Sequence, residues 1–240
     1  MIQLDRNFWV AAAGLANTRT SQFDKWGRAA DADRGPLNLL VDIQGAACEL
    51  IALKYINEVV DAADFSHTIL DKQGTNGEDM RFTTKHGKSF KLDVKGLFVT
   101  DMERKWRGNF LIVPKAVEKA SLDGLKFAPV ITTFGCDHAY VGNLVRWETV
   151  MSWPQRDFGY GSTPHHKALP DCINDHFHIK PEQLYALRER QFKLARLEED
   201  LAALTLPKKL PENLVDHKTL PASDIIYRMC DHIDSIQKVG

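Results

Sequence analysis

The chain of 240 residues is 44% hydrophobic with a formal net charge of −1, enough apolar content for a sizeable core and too little positive charge for a non-specific nucleic-acid coat. Four cysteines, Cys48, Cys136, Cys172 and Cys230, are widely spaced with no Cys-x-x-Cys, so neither a zinc knuckle nor a disulfide framework is signalled. No signal peptide and no apolar run of bilayer length stands out, and the expectation is a soluble cytoplasmic protein without membrane contact.

Phe8, Trp9, Val10, Ala11 to Ala13 and Leu15 predict a first helix, followed by a polar stretch around Thr18 to Asp24 and a break at Arg34-Gly35-Pro36. Leu37 to Val60 reads as a long helix that opens near Asn38 and crosses Gly45. Within it, Glu49 has Gly45, Ala46, Ala52 and Leu53 at three and four positions, so it stands on a face that ought to be buried. A carboxylate there needs a cationic partner, a path to solvent or a metal.

Phe65 to Leu70 predicts a strand, and Asp71-Lys72-Gln73-Gly74-Thr75-Asn76-Gly77 a turn-rich loop. The sharpest pattern follows, from Asp79 to Lys95. Met80, Phe82 and Thr84 alternate on one side of Lys85-His86-Gly87, and Phe90, Leu92 and Val94 alternate with Lys91, Asp93 and Lys95 on the other. That is a β-hairpin with glycine at the left-handed position of its loop. A register with Thr84 opposite Lys88 sets Phe82 against Phe90, Met80 against Leu92 and Asp79 against Asp93. Facing carboxylates repel unless a proton or cation lies between them. Two carboxylates with a lysine two residues along suit a hard divalent ion and phosphodiester hydrolysis, in which the ion neutralises phosphate charge and the lysine acts on the water or the transition state. The plainer reading of Asp93-Val94-Lys95 is a solvated face of an edge strand, and Asp71 rivals Asp79 as the first carboxylate.

An Asp, about a dozen residues, then Asp-x-Lys resembles the PD-(D/E)XK nuclease superfamily of restriction endonucleases, junction resolvases and phage exonucleases. Here the elements are Glu78-Asp79, without the preceding proline, and Asp93-Val94-Lys95. Gly45-Ala46-Ala47-Cys48-Glu49 resembles the helix that brings a further acidic residue to the metal in that superfamily. The resemblance covers roughly residues 38 to 185. It implies an α/β fold with a restriction-endonuclease-like mixed central sheet flanked by helices, over residues 1–180, and a helical C-terminal extension over 181–240. It also implies magnesium, replaceable by manganese, held by Asp79, Asp93, the Val94 carbonyl and Glu49, with Lys95 assisting the water. The implied partner is DNA, and the implied setting is the cytoplasm, with the protein host- or phage-encoded.

Beyond Lys95 the strand continues through Leu97-Phe98-Val99 into Arg104-Lys105-Trp106-Arg107, whose cations and indole suit a phosphate backbone and a stacked base, or equally a solvated loop. Leu111 to Pro114, Pro129 to Phe134 and Ala139 to Val145 carry apolar or strand signals, and Arg146 to Val150 predicts a short helix. His138, His165, His166, His176 and His178 match no compact zinc spacing. Glu182 to Leu204 predicts a long helix with Leu187, Leu194, Leu197, Leu201 and Leu204 in a stripe, open to core packing or to self-association. Ser223 is the expected cap of a last helix with Ile225, Ile226, Met229, Ile233 and Ile236 on one face. Two other classes compete with a nuclease: an inert nuclease-fold module that binds DNA or protein, and a structural protein in which the motif is accidental.

Overall fold

The computed structural model describes residues 1–23, 37–71, 78–98, 110–156, 165–168 and 193–239. The architecture is mixed α/β: a curled mixed sheet flanked by helices. Among the described residues the main sheet has seven strands: β1 (Ile2–Gln3), β2 (Asp64–His67), β3 (Met80–Thr83), β4 (Ser89–Phe98), β6 (Lys126–Thr132), β7 (His138–Val141) and β8 (Val145–Arg146). Their order is β1-β7-β6-β4-β3-β2, with β8 also on β6. The small strands β5 (Phe110–Ile112), β9 (Gln155–Arg156) and β10 (His165–Ala168) form a second sheet in the order β5-β10-β9.

β2, β3 and β4 run as an antiparallel meander, whereas β6 lies parallel to β4. A parallel pair needs a crossover, and helix α3 (Pro114–Asp123) lies on it, with Pro114 in its first turn and Gly124 at φ 68° ending it. β6 is buried on both faces, which explains its near-continuous apolar run. Its Pro129 sits in a central strand at little cost. The Pro129 carbonyl accepts from the Gly142 N–H (2.9 Å) on the β7 side, so the missing N–H is also on that side, between the stretches paired to β8 and to β7.

Helices α1 (Arg6–Phe23) and α2 (Leu37–Tyr55) cover one face of the sheet. The Asp5 carboxylate accepts the Phe8 N–H (2.7 Å) and caps α1, while the Trp9 indole donates to the Cys136 carbonyl (2.8 Å) and ties the helix to the sheet. α1 runs on to Phe23, so its final turns occupy the predicted polar stretch. α2 is apolar on most sides because it lies between α1 and the strands. Ala46, Ala47, Leu50, Ile51 and Leu53 are all fully buried. A single π-helical turn, Ile56–Val60, closes it. α3 and the short α4 (Trp147–Met151) cover the opposite face with Val117, Phe127, Ile131, Val150 and Trp153.

Two helix expectations are corrected. Residues 193–196 are not helical: Lys193 bridges to Cys136, the Leu194 N–H donates to the Gly135 carbonyl (2.6 Å), and Arg196 is left-handed at φ 60°. Only the six-residue α5 (Leu197–Ala202) forms in the described part of 182–204, and Leu194, Leu197, Leu201 and Leu204 pack on the chain's own core. Pairing with the 133–136 turn outweighs the helix propensity of that stretch. The last helix, α6 (Ala222–Val239), starts one residue before Ser223, and its first N–H is capped by the Asn57 side chain (3.0 Å) instead. Ile225, Met229 and Ile233 bury the predicted face against α1 and α2.

Candidate metal centre at the end of the hairpin

The hairpin has the register expected from its alternation: Met80 pairs with Leu92, Phe82 with Phe90 and Thr83 with Ser89, and the Thr84 N–H donates to the Lys88 carbonyl (2.9 Å). Gly87 turns the loop at φ 77°. Phe82 and Phe90 stack at 5.0 Å, which helps to hold that register.

The ladder changes character at Asp79. β3 begins at Met80, and the Asp79 N–H donates to the Leu92 carbonyl (2.8 Å) instead of continuing the pairing toward Asp93. The Asp79 carboxylate then takes the next strand position itself, its Oδ2 accepting the Val94 N–H at 2.7 Å. A strand residue directs its N–H and C=O to the same side, so the Val94 carbonyl leaves β4 beside the Asp79 carboxylate. Asp79 is also anchored from β2, since its carbonyl accepts the Thr68 N–H (2.9 Å).

Asp93 is buried, and the Lys95 ammonium donates to its Oδ1 at 2.5 Å. Both alternate with Leu92 and Val94, which belong to the core under α2, so Asp93 and Lys95 lie on the other sheet face. Glu49 comes from α2 and is held by Arg19. The guanidinium donates end-on through Nη1 (3.0 Å) and Nη2 (2.6 Å), and a further bond runs from Nη2 to the Ile69 carbonyl (2.9 Å). Asp79 therefore stands in a notch where the strand pairing ends, with one carboxylate approaching from each face.

The electrostatics follow. Burial first, then the charges of Glu49 and Asp93, push the Asp79 carboxyl from its usual 3.8 up to about 8, against the opposing pull of the Val94 N–H and of Lys95. These causes favour the protonated form of this carboxyl. The donor set of carboxylates and a main-chain carbonyl is hard and anionic, the chemistry that magnesium or manganese takes. Asp79 and Asp93, whose charges act on each other, and the Val94 carbonyl supply oxygens of that kind. Glu49 has both oxygens on Arg19, and among the described residues no group of three or more His, Cys, Asp or Glu is placed to hold a metal.

The rival Asp71 is paired with Lys218 at 3.1 Å. His138 bonds Asp137 (2.6 Å), and His165 and His166 lie in β10. His176, His178 and the Arg104, Lys105, Trp106 and Arg107 loop lie outside the described residues. No helix among the described residues is long and apolar enough to cross a membrane.

Sequence reasoning missed Arg19. Its signal was its spacing: Arg19 stands three and four positions after Ala16 and Leu15, on the buried stripe of α1. An arginine there needs an anion, just as Glu49 needs a cation. No family model, curated protein or solved structure matches the chain, so the functional reading rests on these residues.

Proposed function

We propose that the chain is a magnesium-dependent deoxyribonuclease of the PD-(D/E)XK type, restriction-endonuclease-like in its sheet and endonucleolytic in action. The reading is carried by the surroundings of Asp79, whose carboxyl is raised to about 8 by burial first and then by the charges of Glu49 and Asp93. A field that holds a proton there also favours a divalent cation, which binds with release of that proton. Asp79, Asp93 and the Val94 carbonyl would hold the ion. When bound, the ion supplies neutralisation of the scissile phosphate and a water of lowered pKa.

The chain's own groups divide the remaining work. Asp79 gives up its proton from the carboxyl that faces Glu49 and Asp93. Lys95, paired with Asp93 through its ammonium, turns toward the phosphate, where a fixed positive charge orients the attacking water and stabilises the oxygens that gain charge. The Arg104-Lys105-Trp106-Arg107 run, close after β4 in sequence, would supply cations and an indole for the phosphate backbone and a base.

The deciding test is incubation with plasmid and linear DNA, with magnesium, manganese or a chelator. Asp93→Asn should lose ion binding and cleavage together, because a neutral amide is a poor ligand for a hard ion. Lys95→Ala should keep ion and DNA binding while turnover falls by roughly a hundredfold or more. Full cleavage by Lys95→Ala would place the active site elsewhere. The second reading is an inert nuclease-fold module binding DNA or a protein partner. It is favoured by the 2.5 Å Lys95–Asp93 pair, which satisfies that carboxylate without an ion. It predicts DNA binding with no cleavage under any metal.

A further inference from the structure

We infer that Arg19 withdraws Glu49 from metal ligation and so restricts the candidate centre to a single ion held by Asp79 and Asp93. The inference rests on the proposed metal centre and adds what the helices α1 and α2 do to it.

Three observations lead here. First, both Glu49 oxygens are taken by one guanidinium, at 3.0 and 2.6 Å, in the bidentate end-on arrangement that matches arginine to carboxylate. Second, Arg19 is itself pinned from a third element, because it also donates to the Ile69 carbonyl at 2.9 Å just after β2. The pair therefore bridges α1, α2 and the segment that leads toward Asp79, and Glu49 cannot swing out without breaking both of its hydrogen bonds to the anchored guanidinium. Third, the Arg19 guanidinium feels the charge of Asp79 as well as that of Glu49. A divalent ion on Glu49 would sit beside a partly buried positive charge, and like charges at that range repel strongly where water is excluded. At Asp93 the neighbouring positive charge is held by fewer bonds. Its partner Lys95 is a single ammonium on a flexible stem, joined by one bond. The two acids beside Asp79 thus differ in kind: Asp93 is releasable, and Glu49 is committed.

Glu49 still has a function in this arrangement. Its negative charge is held in a fixed position by both bonds to Arg19, beside the centre but outside the ligand set. Arg19 is accordingly a positioning residue that holds Glu49 at a set distance and keeps a second ion out.

The test is manganese binding to the DNA-free protein, by calorimetry and by electron paramagnetic resonance. The unmodified chain should bind one ion. Asp79→Asn should weaken binding tenfold or more, whereas Glu49→Gln should change it far less. Arg19→Gln releases Glu49 and removes a repelling charge, so it should bind a second ion or hold the first at least about fivefold more tightly. Arg19→Lys keeps the charge and should remain a one-ion protein. A merely structural arginine would lower the melting temperature on substitution and leave stoichiometry at one. Two ions on the unmodified chain, or an equal loss on Glu49→Gln and Asp79→Asn, overturns the inference and leaves the nuclease reading standing. No ion on the unmodified chain overturns both. Should Arg19→Gln fail to fold, the Glu49→Gln and Asp79→Asn comparison decides alone.

Discussion

Replacing Asp79 by asparagine tests the electrostatic reasoning at its source. The amide oxygen can still accept the Val94 N–H, so the local hydrogen bond is kept, while the charge that Glu49 and Asp93 oppose is removed. A carboxyl raised from 3.8 to about 8, at about 1.4 kcal/mol per pKa unit, corresponds at full value to a destabilisation on the order of 5 kcal/mol for the ionised form. The side chain is partly open to water and shares its titration with its neighbours, so roughly half of that, about 2–3 kcal/mol, should be measurable.

The sign follows from proton counting. Between about pH 4 and pH 8 the unfolded chain has lost this proton and the folded chain has kept it, so stability falls as pH rises through that window and levels off above it. Asp79→Asn has no such loss. Its melting temperature should match the unmodified protein near pH 4–5 and exceed it by about 5–10 °C near pH 8.5, taking about 2–4 °C per kcal/mol for a chain of this size. Scanning calorimetry in chelator across that pH range is the assay. A gap that does not grow with pH, or an asparagine variant less stable at pH 8.5, would refute the argument.

Adding magnesium at about a hundred times its dissociation constant should raise the stability of the unmodified protein by about 2.7 kcal/mol and that of Asp79→Asn by no more than about 1.4 kcal/mol, the value for tenfold weaker binding, as thermal melts would show; equal protection of both would remove Asp79 from the ion. Burial lowers the pKa of His67, whose Nε2 bonds the Leu220 carbonyl at 3.0 Å, below its usual 6.5. The stability it contributes is therefore present above about pH 6.5 and lost as pH falls through the lower folded value, and His67→Gln should flatten that acid limb in melts from pH 4 to 7. At Gly14 an added Cβ would lie 2.8 Å from the Met229 sulfur and 3.0 Å from Ile233. Gly14→Ala should thus cost about 1–3 kcal/mol of overpacking between α1 and α6, read as a lower denaturant midpoint; an unchanged midpoint would show that the two flexible side chains give way freely.

Alternation and helical periodicity were enough to specify the hairpin, its register and the long α2. These depend on neighbours within a few residues, and the same short-range logic set Glu49 on a buried face and Asp79 near Asp93. Tertiary structure decided what those residues touch. The strand ladder ends one residue short of Asp79 because Thr68 and Leu92 take its backbone, which turns a cross-strand carboxylate pair into a notch lined from both faces. Arg19 meets Glu49 across 30 residues, a contact that exists only because α1 and α2 pack together. Lys193 and Leu194 leave a helical pattern because the turn at Gly135 and Cys136, far upstream, offers them hydrogen bonds. Local patterns state what a residue prefers and which face it occupies. Which charge sits opposite a buried carboxylate is set by long-range packing, and that choice separates a metal ligand from half of an ion pair.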